Sequence, residues 1–162
     1  MKNTFGQKGF TLMESIAAIV LAGIVAVAVA PNLGSASKAL NVDGAAKQVE
    51  ADIRYAQNLA NTTGDTYGFT ATGNVAYTVY KKVGAVLTTV TSPYNHQPMN
   101  MDLTINYPGV TFTAVGYPTY TIEFDASGKP VTGGGTVVGL TAGADANKSV
   151  TVTSETGNVN IQ

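Results

Sequence analysis

A chain of 162 residues and 16.6 kDa, with roughly 100 of them after Asn61, has room for one modest globular domain and one long N-terminal helix. Hydrophobic residues make up 44% and charged residues only 12%, about half the charged share of an ordinary soluble protein, so a membrane-held helix before a weakly charged, Gly- and Thr-rich domain is the expected class. A net charge of -1, about -3 without Lys2 and Lys8, gives no electrostatic attraction to nucleic acid, and the absence of cysteine excludes disulfides and thiolate metal sites.

Residues 1–9 carry Lys2 and Lys8 and no acid, which places this end in the cytoplasm and sends the rest across the membrane. Residues 10–30 follow as an apolar run of about 30 Å as a helix, the thickness of a bilayer core. A single carboxylate, Glu14, interrupts it near its start, and a charge in such a segment is costly enough to point to a role. Ala28-Val29-Ala30 offers a signal-peptidase A-x-A site. That reading is disfavoured by Pro31 directly after the cut, by Glu14, and by an apolar run longer than an h-region. Ala18, Ala22, Ala26 and Ala30 recur at helical spacing with Gly23 beside them, a smooth stripe on which another helix can lie.

Pro31 lacks a backbone donor and predicts a kink or local melting, with Gly34 adding slack. Beyond it Val42, Ala46, Val49, Ile53, Ala56 and Ala60 keep a four–three spacing, while Lys47, Glu50, Arg54 and Gln57 fall largely elsewhere. This predicts an amphipathic helix with one buried face, ended by Gly64 in the left-handed conformation. The pattern then changes to a period of two. Strands are predicted at 66–72, 75–81, 86–91, 110–115, 119–124, 136–140, 149–154 and 158–161, with an irregular loop at 92–101, an ambiguous stretch at 103–107 and turns at 125–128 and 155–157. The face from Val42 to Ala60 is the apolar cover such strands need.

Lys8-Gly9-Phe10-Thr11-Leu12-Met13-Glu14, with the apolar helix behind it, resembles the processing site of type IV prepilins and type II secretion pseudopilins. The resemblance implies an α+β, pilin-like fold: a long N-terminal helix, membrane-spanning in its first half and kinked near Pro31, packed on a C-terminal antiparallel sheet. It divides the chain into a leader (1–9), an assembly half of the helix (10–30), an amphipathic half (31–64) and a β-rich domain (65–162). It also implies a cut by prepilin peptidase after Gly9, N-methylation of Phe10, filament contacts at Thr11 and Glu14, and a helix break at Pro31. The implied partners are other pilin subunits, the peptidase, an inner-membrane assembly platform and the membrane. As a precursor the chain would be single-pass, N-in and C-out in a bacterial inner membrane, and afterwards part of a periplasmic pseudopilus or extracellular pilus. More thinly, Asp52 to Ala60, the Asp125 turn with Gly128 and the final hairpin resemble GspH- and FimT-type minor subunits.

A glycine before the cut lets a peptidase approach the bond closely. The cut would leave Phe10 with an α-amino cation in apolar surroundings, and Glu14, one turn along, is suited to neutralise it, best across to a neighbouring subunit. Enzymatic chemistry finds no foothold, since His96 is the only histidine and no cysteine can join it. No cofactor and no metal is expected: Asp125, Asp145 and Glu155 do not form a calcium loop. Lys81-Lys82 is too little charge for DNA, and Tyr77, Tyr80, Tyr107, Tyr117 and Tyr120 read as sheet packing. A structural filament subunit is therefore the leading expectation. The alternatives are a minor or tip subunit with an adhesin or DNA-capture domain, which predicts a basic or aromatic patch, and a secreted enzyme starting at Pro31.

Overall fold

The computed structural model describes residues 11–113, 120–144 and 146–162, with the backbone alone for residues 28–33. Gly9 and Phe10 of the expected cut, the leader before them, Tyr117, Asp145 and parts of two expected strands lie outside the described residues. The chain divides into two units, Met1–Ala36 and Ser37–Gln162.

One helix, α1 (Leu12–Thr63), spans 52 residues and continues through Pro31, so the local melting expected there is absent. A proline removes one hydrogen bond of the ladder, and the turns on either side retain theirs. In its second half the four–three pattern becomes a buried face: Val42, Ala46, Val49, Ile53, Ala56 and Ala60 are all enclosed, joined by Ala45. Gly64 closes the helix with φ 77° and its N–H on the Ala60 carbonyl at 3.0 Å, the left-handed ending predicted for it.

The strands that follow are β1 (Thr66–Thr72), β2 (Ala76–Val83), β3 (Val86–Thr89) and β4 (Asn100–Asp102), then a short helix α2 (Leu103–Asn106). After these come β5 (Thr111–Phe112), β6 (Thr121–Phe124), β7 (Pro130–Thr132), β8 (Val137–Thr141), β9 (Asn147–Val152) and β10 (Val159–Ile161). They form two sheets, one ordered β3-β2-β1-β6-β7 with β4 also on β2, the other β10-β9-β8-β5. Every described pairing is antiparallel. The ambiguous stretch resolves as α2 because the Asp102 carboxylate caps it, accepting from the Thr104 N–H at 2.8 Å.

The apolar faces of α1 and both sheets meet in a single cluster that includes Ile53, Phe69, Tyr77, Phe124, Leu140 and Val150. The Phe69 and Tyr77 rings meet within it at a tilt of 34°, with centroids 4.9 Å apart. At the C-terminal end of α1, Arg54 donates to the Val159 carbonyl at 2.6 Å and Gln57 to the Gly128 carbonyl at 2.8 Å. A Cβ on Gly157 would come within 2.6 Å of both the Gln57 amide and the Gly128 carbonyl, so this close approach requires glycine. The helix end, the Asp125 turn and the terminal hairpin thus converge on one point.

Candidate functional site

The N-terminal unit presents an uncovered apolar helix. Every described side chain from Thr11 to Val27 is exposed, including Leu12, Met13, Ile16, Ile19, Leu21 and Ile24. Nothing lies within 4 Å of the Cβ positions of Gly23 and Gly34, and Ala18, Ala22 and Ala26 are exposed, so the small-residue stripe is open over its described side chains. Among the described residues no helix is long and apolar enough to cross a membrane; the run 10–30 has described side chains only from Thr11 to Val27.

Thr11 starts the helix. Its hydroxyl accepts from the Glu14 N–H at 3.3 Å, and its carbonyl takes the N–H groups of Glu14 and Ser15 at 3.1 Å each. Thr11-Leu12-Met13-Glu14 therefore has the spacing of a capping box, with the acid in the first turn, where the helix dipole favours it. Reading the stretch for processing alone misses this second use of Thr11 and Glu14, although T-x-x-E before an apolar run is its sequence signal.

In the second unit the other singled-out residues are accounted for locally. Lys81 pairs with Asp65 at 2.5 Å and Lys82 with Glu123 at 2.7 Å, which neutralises the lysine pair. Tyr77 and Tyr80 are buried in the sheet, Tyr107 and Tyr120 half-buried. His96 is exposed in the loop after β3 with φ 55°. The Asp125 carboxylate is engaged by Ser127 and by the Lys129 N–H at 3.1 Å, while Glu155 meets Lys129 at 3.4 Å.

Two carboxylates are buried among the described residues, Asp52 and Glu123. Burial pushes Glu123 up, but hydrogen bonds from Lys82 and Tyr80 outweigh it and leave the carboxyl below its ordinary value. Asp52 meets only neutral donors, the Tyr77 hydroxyl at 2.6 Å and the Gln48 amide at 3.0 and 3.1 Å. Burial accordingly holds its carboxyl above the ordinary value. The unfolded chain releases the Asp52 proton first, so this group's contribution to stability declines as pH rises through the raised folded value. Asp52→Asn, whose amide can still accept from Tyr77, is expected to gain on the wild type in urea unfolding as pH is raised from below to above the ordinary carboxylate range, about pH 4. A difference that stays constant across that range would contradict the assignment.

Residues 4–30 match the family described as the prokaryotic N-terminal methylation motif. Against solved structures, the chain is similar to the type IV minor pilin FimU of Pseudomonas aeruginosa, at 14% identity and a TM-score of 0.52 over 74% of this chain and 91% of that one. It is similar also to the minor pseudopilin EpsH from the Type 2 Secretion System of Vibrio cholerae, at 13% identity and a TM-score of 0.52 over 75% and 96%. The fold is a pilin and pseudopilin fold. No curated protein sequence matches the chain. The matched motif contains Gly9, Phe10, Thr11 and Glu14 and ends one residue before Pro31. The pilin-like helix begins within that motif and the sheets follow it, in the order the prepilin resemblance implied.

Proposed function

We propose that the chain is a structural, non-enzymatic subunit of a type IV pilus or pseudopilus. It is made as an inner-membrane precursor, cut after Gly9, N-methylated at Phe10 and polymerised through the first half of α1. The observation that carries this is the junction itself: a methylation motif over residues 4–30 opens a helix exposed throughout its described apolar stretch, and that helix continues into a pilin-fold core. Lipid covers such a surface in the precursor, and neighbouring helices cover it in the filament.

Glu14 neutralises the Phe10 amine of an adjacent subunit, and Thr11 fixes the start of the helix from which Glu14 projects. The same residues would meet the peptidase and the assembly platform before polymerisation. Both named relatives are minor subunits of their machines, which supports a minor position here, and the amount of chain in sheared filaments measures it. Mass analysis of the mature N-terminus tests the central claim: methylated Phe10 is expected, and a start at Pro31 or an uncut Met1 would overturn it.

A further inference from the structure

A cavity of about 460 Å³ opens between the outer side of α1 and the segment that joins β3 to β4. Its size falls within the roughly 300–1,000 Å³ of small-molecule pockets. Asp52, only 6% exposed, forms part of its wall. Tyr55 comes from the helix, Tyr94 from the loop, and Met99 and Met101 from its far end. No lysine, arginine or histidine lines it. The wall thus offers a carboxylate, two phenol rings and two thioethers, a set that attracts cations.

The two buried carboxylates make the case sharper. Glu123 receives the Lys82 ammonium at 2.7 and 2.9 Å and completes its shell with Tyr80 and Thr132. Asp52 has an equivalent tyrosine and an amide but no cation: the helix's nearby bases, Lys47 and Arg54, are taken by Asp43 and Glu50 at 2.7 and 2.8 Å. Burying a carboxylate without a cation is costly, and here the residue that bears it forms part of a cavity wall. The rim is preformed, with the Ser92 N–H on the Gln97 carbonyl at 2.8 Å and the Met99 N–H on the Val90 carbonyl at 2.8 Å.

We propose that this cavity is a binding site for an organic cation, an alkylammonium or guanidinium group, seated against Asp52 between the Tyr55 and Tyr94 rings. The group is supplied either by a free amine or by a basic side chain of a neighbouring subunit. The proposal stands on this cavity alone and does not require the filament reading.

The four methionines allow a direct test on the full-length chain in detergent micelles. Met99 and Met101 line the cavity, whereas Met1 and Met13 lie at the other end of the chain and serve as internal controls. Titration of the methyl-labelled protein with n-butylammonium is expected to move the Met99 and Met101 methyl signals saturably and leave Met13 still. Neutral n-butanol should not reproduce the shift. Asp52→Asn should weaken the affinity at least about tenfold, the loss of one charge pairing. Tyr94→Ala, at a fully exposed position whose loss the fold tolerates, should weaken it severalfold and serves if the first variant does not fold. Absence of a saturable shift, an equal response to n-butanol, or unchanged affinity in both variants would overturn the site. With no amine added, signals that move toward the amine-bound positions as protein concentration rises assign the cation to another copy of this chain, and their return on lysine acetylation assigns it to an amine rather than an arginine of that copy. Signals that do not move with concentration assign it to a free amine or a different subunit.

Discussion

Glu14→Ala is expected to leave the precursor cut and methylated but to lower filament yield by about two to three and a half orders of magnitude. Removing one partner of a buried ion pair costs about 3–5 kcal/mol, because the other charge is left buried and unpaired, and each 1.4 kcal/mol is a factor of ten in association. In the proposed filament that other charge is the Phe10 amine of the next subunit. The capping-box spacing offers the Glu14 side chain a competing purpose, since the residue lies at the third helical position with its N–H on the Thr11 hydroxyl. Glutamine separates the two. Glu14→Gln keeps the hydrogen-bonding arm of a capping box and forfeits only the dipole contribution of an acid at an exposed helix start, about 0.3–1 kcal/mol. If capping were the whole role, the glutamine variant would restore filaments; if the charge pairs with an amine, it assembles as poorly as alanine. Quantifying subunit in sheared filaments beside the mass of the mature N-terminus reads both steps, and wild-type filament yield from Glu14→Ala would reject the pairing.

The parts of the fold that could be read from the sequence are those written in local periodicity. The six positions of the α1 face are buried because four–three spacing puts them on one side of a helix whatever they pack against. β1 has the predicted limits since alternation over seven residues is bounded by Gly64 and Gly73. Pairing between distant strands is not written that way. β7 has three residues and begins with a proline, so it carries no pattern of its own; β6 defines it, with Phe124 opposite Pro130. The division into two sheets rests on β5 reaching β8, with Phe112 opposite Leu140, a choice among short strands that propensity cannot make. The N-terminal methylation motif over residues 4–30 was legible, being contiguous. Asp52 was not: it lies one position before Ile53 on a helix whose polar residues mostly face solvent, and its burial follows from Tyr77, 25 positions further on, reaching it from β2.

Phe69→Ala separates the two units of the chain. Phe69 is fully buried in β1, opposite Val79 of β2 on one side and Ile122 of β6 on the other, with its ring against Tyr77. Neighbouring strands flank it on both sides and α1 packs into the same cluster, which limits collapse into the space that alanine would leave. Truncation of such a phenylalanine costs about 3–5 kcal/mol, a large share of the roughly 5–15 kcal/mol that holds a domain together. Urea unfolding of the variant should show that loss as a lower midpoint with an unchanged slope. A shift worth less than about 1 kcal/mol would mean that the cluster around Phe69 is not the core. In the proposed function, by contrast, the peptidase reads residues around Gly9, which belong to the other unit. The precursor of Phe69→Ala is therefore expected to be cut and methylated as efficiently as the wild type, yet to be depleted from the mature pool as the unfolded domain is degraded. Glu14→Ala gives the converse, a stable mature subunit that does not polymerise. Two variants with opposite failures, one in the core and one in the helix start, would show that folding of the β-rich unit and assembly through α1 are separable steps.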